Sequence, residues 1–392
     1  MLKGKKILIG IGGGIAVYRV SEVARLLMKQ GAEVRCVMTR SACEFVTPLT
    51  FETLTGEEVF TELFDLNRER EIGHIKLARW ADVLLVAPAT ANLLTKFAHG
   101  VADDLLTTVF QARKGVILLA PAMNTSMWES AANQRNVKAL QKRGAGIIGP
   151  EAGELACGEK GMGRMSEPET ILQALYHSSC TDSLDGQHWI INAGPTHEHW
   201  DQVRFLSNNA SGRLGFWLAQ VAAAKGAEVD LICGPTPLST PLGVTRFNVT
   251  SASEMLAGCK KQAADADVFI ATAAVGDFAF AEQVDGKLKR SNANNMNIEL
   301  TANPDIVAHI ATMSKRPAKV VAFAAECERH EEQAAGKLKA KGVDAIFAND
   351  IANMGSDEAG GWWLNKTSST EIDAMPKWQL AERLIDLVEC MR

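Results

Sequence analysis

Short apolar runs, each followed by a turn and then a helical pattern, recur along the whole chain. Runs such as those in KKILIGIGGG (5–14), ADVLLVAPAT (81–90) and GVILLAPAM (115–123) are too continuous for strands with one face in water. They are typical of strands buried on both faces of a parallel sheet. Between them, segments such as 17–31 carry apolar residues at helical spacing. This alternation predicts an α/β fold with doubly wound, Rossmann-like parallel sheets.

The same landmarks occur twice, which predicts two such domains. QGAEVRCVMT (30–39) is matched by KGAEVDLICG (225–234), and a polar stretch without strand or helix pattern separates the halves. A chain of 392 residues is also longer than one ordinary domain. We therefore predict a first domain over residues 1–178, a linker over 179–187 and a second domain over 188–392.

Charge and cysteine content exclude several classes of protein. The formal net charge of −5 argues against general binding to nucleic acid or to a lipid surface. The eight cysteines are scattered without C-x-x-C spacing, which disfavours zinc fingers and a disulfide framework and favours reduced thiols. We find neither a signal-peptide pattern nor an apolar stretch of the ~20 residues that a membrane span needs. We expect a soluble, cytoplasmic enzyme or binding protein.

Polar residues and glycines follow the predicted strands of the first half at their carboxyl ends, where ligands of such sheets bind. The turn GIGGGIA (10–16) offers backbone amides to a phosphate at a helix start, although its spacing does not match G-x-G-x-x-G. Thr39 and Ser41 follow the second strand, and Thr90 and Asn92 follow the third. Because no acidic residue follows the second strand to hold a ribose, a mononucleotide is favoured over NAD.

The next apolar run ends in LLAPAMNTSMWES (118–130), where an amide, two methionines and a tryptophan share one turn. The methionines and the tryptophan could simply close a core. His74, at a predicted helix start, could be structural or catalytic. However, PAMNTSMW (121–128) and LACGEKGMGRMSEP (155–168) together resemble the two signature segments of the flavin-dependent cysteine decarboxylases. That family includes phosphopantothenoylcysteine decarboxylase and the enzymes that modify lantibiotic precursors.

This resemblance covers residues 1–180 and implies an FMN-dependent oxidative decarboxylation. It implies that His74 acts as a base, that Asn124 holds the departing carboxylate, and that Cys157 returns a proton from a glycine-rich flap. The alternative for Cys157 is a flap thiol without a role. The implied flavin contacts are Gly12, Gly13, Gly14, Thr39, Ser41, Ala89, Thr90, Asn92 and Met123.

The second half opens with NAGPTHEHWDQVRFLSNNASGRLG (192–215), in which amides and a Ser-Gly pair precede a helix and could hold a phosphate or carboxylate. Lys337 and Lys341, four residues apart, share a helix face and could hold a polyphosphate or form a solvated surface. The opening segment resembles that of phosphopantothenate–cysteine ligase. Relatives commonly carry Arg-Glu-Pro-(Ile/Leu)-Asp where this chain has HEHWD (197–201), so the detail of that loop differs.

By this resemblance, the ligase uses CTP to activate a carboxylate as an acyl-cytidylate, which the amine of cysteine then attacks. Asn208 would stabilise that intermediate, and Lys287 would offset the charge that develops during transfer. A magnesium ion is expected with the triphosphate, although no metal ligand is legible, and the sequence alone does not show CTP over ATP. The implied CTP contacts are Ala273, Asp277, Lys287, Asn303, Pro304, Asp305, Ile306, Phe323, Lys337 and Lys341.

Together the halves resemble the family of bifunctional coenzyme A biosynthesis proteins, in which 4'-phosphopantothenate is joined to cysteine and the product is then decarboxylated to 4'-phosphopantetheine. The family builds its active sites across subunit contacts, so we expect a homo-oligomer with trimeric decarboxylase units and dimeric ligase domains, up to a dodecamer. One alternative is a non-catalytic flavoprotein regulator, which the presence of His74, Asn124 and Cys157 disfavours. Another is an FMN oxidoreductase that binds NADPH, which the lack of G-x-G-x-x-G in the second half disfavours.

Overall fold

The computed structural model describes residues 2–64, 73–287, 297–326, 330–350 and 356–391. The chain divides into two units, Met1–Cys180 and Thr181–Arg392. Within the described residues, no helix combines the length and the apolar character that crossing a bilayer requires.

The first unit alternates strands and helices along the chain. Its described strands are β1 (Lys6–Ile11), β2 (Glu33–Met38), β3 (Val83–Ala89), β4 (Val116–Pro121), β5 (Gly146–Ile147), β6 (Glu151–Glu154) and β7 (Lys160–Arg164). Its described helices are α1 (Val17–Lys29), α2 (Arg40–Cys43), α3 (Pro48–Thr55), α4 (Gly73–Trp80), α5 (Ala91–His99), α6 (Leu105–Ala112), α7 (Thr125–Glu129), α8 (Ala131–Lys142) and α9 (Pro168–Ser179).

Five parallel strands form the main sheet of this unit in the order β2-β1-β3-β4-β5. Every residue of β3 is buried, as expected for a central strand covered on both faces. One face packs against α1, α3 and α9, and the other against α4, α5, α6 and α8. The strand order reverses between β1 and β3, and such a switch point opens a crevice beyond the carboxyl ends of the strands. β6 and β7 form a separate antiparallel hairpin, which we call the flap.

The second unit repeats the alternation and adds short antiparallel pairs. Its described strands are β8 (His188–Ala193), β9 (His197–His199), β10 (Phe205–Ser207), β11 (Glu228–Cys233), β12 (Val244–Asn248), β13 (Val268–Ala271), β14 (Phe278–Phe280), β15 (Leu300–Ala302), β16 (Lys319–Glu326), β17 (Ala345–Asp350), β18 (Glu358–Asn365) and β19 (Ser369–Pro376). Its described helices are α10 (Arg213–Ala224), α11 (Ala252–Ala263), α12 (Ile306–Ala311), α13 (His330–Lys341) and α14 (Lys377–Cys390).

The main sheet of the second unit has the order β12-β11-β8-β13-β16-β17-β18-β19. The first six of these strands are parallel, and their order is that of a Rossmann-type sheet, with a switch point between β8 and β13. β18 and β19 extend the edge as an antiparallel hairpin. α10 packs with α14 on one face, while α11, α12 and α13 share a core on the other. The predicted fold class, two doubly wound α/β sheets, is confirmed, and the edge hairpin is an addition to it.

Candidate functional site

A cavity of about 1390 Å³ opens at the carboxyl edge of the first sheet. The loops that follow β1, β2, β3 and β4 line it, because parallel strands deliver their following loops to the same edge. The flap supplies a further wall. The predicted site residues that line this cavity are Gly13, Gly14, Thr39, Ser41, Thr90, Asn92, Met123, Asn124 and Cys157.

The glycine turn after β1 can line this cavity only as bare backbone. A Cβ at Gly13 would lie 2.3 Å from Cβ of Ser41, and a Cβ at Gly12 would lie 2.4 Å from the carbonyl oxygen of Pro88. Gly12 is buried behind the turn and does not line the cavity. Its lack of a side chain instead lets the turn approach the end of β3 closely.

Two of the predicted hydroxyl residues hold helix starts at the cavity edge. The side-chain oxygen of Thr39 accepts from the amide of Ala42 at 3.2 Å and caps α2. The hydroxyl of Thr90 accepts from the amide of Leu93 at 3.3 Å and caps α5. Ala89, predicted with them, is fully buried at the end of β3 and does not line the cavity.

Asn124, which follows β4, meets the flap through its side-chain amide. Its Nδ2 donates to Oε2 of Glu159 at 2.7 Å and lies 3.7 Å from Sγ of Cys157. Its Oδ1 accepts from the amide of Ser126 at 2.8 Å, which caps α7 and orients the amide group. The structure thus brings Asn124 and Cys157 together at the cavity, as predicted, and adds Glu159 to them.

Glycines at the base of the flap set this juxtaposition. The amide of Met123 donates to the carbonyl of Gly163 at 3.0 Å. Gly163 has a φ of +145°, and a Cβ there would lie 2.1 Å from the carbonyl oxygen of Met123. A Cβ at Gly161 would lie 2.5 Å from Oγ1 of Thr125. Only glycines allow the hairpin to pack this closely on the loop after β4 and place Cys157 beside Asn124.

His74 is not among the residues that line this cavity. It lies in the first turn of α4 and is half-buried. Basic side chains missed by the sequence analysis do line the cavity, including Arg19, which donates to the carbonyl of Met165 at 3.2 Å and to the carboxylate of Glu167. A charged residue in the first turn of a helix, as Arg19 is in α1, is too common in sequence to have indicated this role.

A second cavity, of about 610 Å³, lies at the carboxyl ends of β8, β13, β16 and β17 in the second unit. It is at the switch point of that sheet, where nucleotides bind in such folds. The predicted ligase residues that line it are Asn208, Ala273, Asp277, Asn303, Pro304, Asp305, Ile306, Phe323, Lys337 and Lys341.

Side-chain amides join the loops around this second cavity. Nδ2 of Asn208 donates to the carbonyls of Ala274 and Val275 at 3.2 and 3.1 Å. Nδ2 of Asn303 donates to the carbonyl of Gly276 at 2.8 Å. The loop after β13 is therefore held from both sides, which preorganises the cavity wall.

Asp305 and Lys341 form an ion pair of 3.0 Å at the cavity edge. Burial by itself would raise the pKa of Asp305, but hydrogen bonding from the amide of Ala308 and the charge of Lys341 outweigh it and lower that pKa. Asp305 thus stays ionised while it caps α12 and positions the lysine.

Lys287 is exposed and is not among the residues that line the second cavity. Two cationic residues that the sequence analysis did not assign, Arg213 and Lys377, do line it. Lys377 begins the last described helix, and nothing in its sequence neighbourhood links it to Arg213 at the start of α10. Among the described residues, no cluster of three or more metal-binding side chains occurs.

Separate family models match the first and the second half of the chain. Residues 1–179 match the family model "Flavoprotein", which confirms a flavoprotein unit in the first half. Residues 184–391 match the family model "DNA/pantothenate metabolism flavoprotein C-terminal domain". A solved structure of the C-terminal domain of the coenzyme A biosynthesis bifunctional protein CoaBC is 33% identical, covers 53% of this chain and 97% of its own, and has a TM-score of 0.47.

Curated relatives resemble the chain over nearly its whole length. The coenzyme A biosynthesis bifunctional protein CoaBC of Vibrio parahaemolyticus is 44% identical, over 90% of this chain and 89% of its own. The protein of the same name from Haemophilus influenzae is 42% identical, over 98% of this chain and 97% of its own. The chain therefore belongs to the family of the bifunctional coenzyme A biosynthesis proteins, as the sequence predicts, and is an enzyme with a decarboxylase and a ligase activity.

Proposed function

We propose that the first unit decarboxylates phosphopantothenoylcysteine to 4'-phosphopantetheine with FMN. We further propose that the second unit forms phosphopantothenoylcysteine from 4'-phosphopantothenate, cysteine and CTP. The observation that carries the first half of this proposal is the placement of Asn124 Nδ2 3.7 Å from Sγ of Cys157 at the edge of the glycine-lined cavity. An amide donor and a thiol on a glycine-rich hairpin suit a substrate that loses a carboxylate and then needs a proton.

The residues present fit a flavin mononucleotide. The turn at Gly13 and Gly14 presents backbone to the cavity, and any Cβ at Gly13 would collide with Ser41. A phosphate held by backbone amides needs this kind of bare cradle. Ser41, Thr90 and Asn92 line the same cavity and would contribute polar contacts, with Met123 as an apolar wall. When bound, FMN supplies an acceptor for the hydride equivalent that leaves the cysteine moiety.

We assign the polar chemistry to three residues of this chain. Asn124 donates its amide hydrogens to the carboxylate that leaves, and Cys157 returns a proton to the product. His74 serves as a base and orienting group. Because His74 does not line the cavity of its own unit, its role requires the subunit contacts that the resemblance implies, in which another copy completes the site.

In the second unit we assign the lining residues to the nucleotide. Lys337 and Lys341 hold the triphosphate with magnesium, while Asp277, Phe323 and the Asn303–Ile306 loop frame the nucleoside. Asn208 stabilises the acyl-cytidylate during attack by the amine. Lys287, which does not line the cavity in this structure, would offset the charge that develops during transfer.

We also propose a cytoplasmic homo-oligomer with trimeric decarboxylase units and dimeric ligase domains. Exposed apolar side chains support such contacts, for example Leu49 and Phe64 in the first unit and Phe205 and Phe278 in the second, each more than 40% exposed. No disulfide joins the cysteines that the structure describes, which supports a reducing compartment.

The test is a product assay by mass spectrometry on the full-length chain with 4'-phosphopantothenate, cysteine, CTP and magnesium. We expect CMP, CO2 and 4'-phosphopantetheine. Cys157→Ala should still form CMP but should stall before 4'-phosphopantetheine. Cys390→Ala, which removes another exposed thiol, is the matched control and should behave as the unmodified chain.

The outcomes separate the two activities. Accumulation of phosphopantothenoylcysteine by the unmodified chain would support the ligase and contradict the decarboxylase. Retained flavin without CTP consumption would contradict the ligase and would favour a flavoprotein regulator or an oxidoreductase. Normal product formation by Cys157→Ala would contradict its role as proton donor.

A further inference from the structure

Lys377 is a lysine at the wall of the second cavity that the proposed function does not use. It is the first residue of α14 and is 8% exposed, which is rare for a lysine. Its Nζ donates to the carbonyl of Ser356 at 2.5 Å. Burying an ammonium group costs free energy of folding, and a function at the cavity would explain why a lysine is kept at this position.

Arg213 lies on the same side of the cavity and adds a second cation. It lines the cavity from the first turn of α10, and its guanidinium pairs with the carboxylate of Asp357. Because the side chain of Asp357 is 86% exposed, water screens this pair strongly. Burial lowers the pKa of Lys377, the positive charge of Arg213 lowers it further, and the negative charge of Asp357 partly opposes them. Both cations line the same cavity.

The backbone adds positive potential at the same place. α10 spans twelve residues, and Gly212 at its N-cap has a φ of +74° and provides no side-chain acceptor. A Cβ at Gly215, in the first turn, would lie 2.4 Å from Oγ1 of Thr272, so the helix start is pressed against the end of β13. Ser211 and Gly212 line the cavity. The start of α10 therefore lies at the cavity wall with Arg213 and Lys377, and the positive end of its helix dipole adds to their charge. Within this turn, the amide of Arg213 donates to Oγ of Ser211 at 3.4 Å.

The second cavity thus has cations on both faces of the sheet. Lys337 and Lys341 come from α13 on one face, and Arg213 and Lys377 come from α10 and α14 on the other. Lys341 is already paired with Asp305 at 3.0 Å. Two cationic groups that converge on one switch point fit a polyanion lying across the strand ends better than a single phosphate.

We infer that Lys377, together with Arg213 and the start of α10, binds the polyphosphate of the nucleoside triphosphate. This inference deepens the proposed ligase function and rests on it for the identity of the nucleotide. Lys377 is a positioning residue: it orients the leaving pyrophosphate end so that the α-phosphate faces the carboxylate. CTP and 4'-phosphopantothenate both carry phosphate groups that these cations could bind. The test must therefore distinguish binding of the triphosphate from binding of 4'-phosphopantothenate.

The experiment is calorimetric titration of the full-length chain with CTP, CMP or 4'-phosphopantothenate alone, in buffer with magnesium. No ligation can occur with one substrate, so binding is measured without turnover. Lys377→Met should weaken CTP binding at least tenfold and change CMP binding less than twofold. Lys377→Arg should recover most of the loss. Lys366→Met, which removes an exposed lysine of the same unit, should leave all three affinities unchanged.

The ratio of CTP to CMP affinity is the decisive quantity, because a merely structural role for Lys377 would weaken both ligands alike. An equal loss for both therefore overturns the inference. A selective loss for 4'-phosphopantothenate also overturns it and assigns the lysine to the other substrate. An unmodified chain that binds CTP no more tightly than CMP would overturn it as well. Failure of the proposed ligase function would appear separately, as absence of CMP in the product assay.

Discussion

The side-chain amide of Asn124 donates to the carboxylate of Glu159 at 2.7 Å, while Sγ of Cys157 lies 3.7 Å from the same nitrogen. The amide that we assign to the substrate's carboxylate thus already holds a carboxylate of the flap. A substrate must displace Glu159 before Asn124 can bind it, and this exchange would link flap position to substrate binding.

Removing the carboxylate of Glu159 should therefore favour substrate binding. We expect Glu159→Ala to lower KM for phosphopantothenoylcysteine about two- to fivefold, since an exposed charged contact is worth about 0.5–1 kcal/mol. Steady-state decarboxylation measures this. Glu169→Ala removes an exposed carboxylate of α9 that does not line the cavity and is the control. A higher KM in Glu159→Ala would show that Glu159 assists binding rather than competing with it.

Gly13→Ala should impair flavin binding, because the new Cβ would lie 2.3 Å from Cβ of Ser41 and the turn would have to move. An overpacking cost of about 1–3 kcal/mol corresponds to roughly tenfold weaker binding or more. The ratio of flavin absorbance to protein in the purified chain reports the result. Gly336→Ala is matched in chemistry, but Gly336 lies in α13 of the second unit and has nothing within 4 Å of the new Cβ. Equal flavin loss in both variants would contradict the cradle.

Gly163→Ala should displace the flap and slow decarboxylation at least tenfold, because its Cβ would lie 2.1 Å from the carbonyl oxygen of Met123. Gly158→Ala also places alanine at a positive φ, +83°, but has nothing within 4 Å of the new Cβ. Gly158→Ala therefore shows the effect of backbone strain alone, about 1–2 kcal/mol, without a steric collision. CMP formation by the ligase should be normal in both. Equal decarboxylation rates in the two variants would argue against a tightly docked flap.

Alkylation should separate the exposed thiols from the buried ones. Burial raises the pKa of Cys36 to about 12 and that of Cys259 to about 12, whereas Cys157 and Cys390 are exposed. Since the thiolate is the nucleophile, the buried pair should react with iodoacetamide at pH 8 on the order of a thousandfold more slowly. Peptide mapping by mass spectrometry measures the rates. Labelling of Cys36 as fast as that of Cys157 in the folded chain would contradict this packing.

His197 should make the stability of the second unit depend on pH. Burial lowers the pKa of His197, the nearby His199 lowers it further, and Glu198 partly opposes them. The unfolded chain then binds more protons below the ordinary histidine pKa of about 6.5, so stability is full above that value and falls as pH drops through the lowered one. In His197→Gln this fall should be smaller. The denaturation midpoint followed by tryptophan fluorescence at pH 5.5 and 7.5 tests this, and an unchanged difference would contradict it.

The fold follows from features that are local in the chain. Apolar runs such as Val83–Ala89 can be buried on both faces only in a covered parallel sheet, and the helices between them are amphipathic. The cavity residues after β1, β3 and β4 could be predicted for the same reason, since parallel strands bring their following loops to one edge. The edge hairpin β18–β19 could not, because antiparallel addition depends on which strand is left unpaired at the end of the sheet.

Some predicted site residues do not line a cavity, because their positions depend on contacts with residues far away in the chain. His74, Lys287, Gly12 and Ala89 belong to segments with a recognisable pattern, yet the structure leaves each outside the cavity wall. For Gly12 the reason is close packing against Pro88 and Leu93. These partners lie far along the chain, so no local pattern reveals the contact.

By itself, the sequence determined the fold class, the family and most of the segments that line the two cavities. Hydrophobic periodicity and signature segments are patterns of residues close together in the chain, so they can be recognised without the structure. Only the tertiary structure decided that Glu159 accepts a hydrogen bond from the side-chain amide of Asn124. It also decided that Lys377 and Arg213 line the same cavity, beside the start of α10. Both arrangements depend on the distance and burial of side chains from separate elements. Such contacts form only when the sheet has brought those elements together, since side-chain partners are chosen by packing rather than by position in the chain.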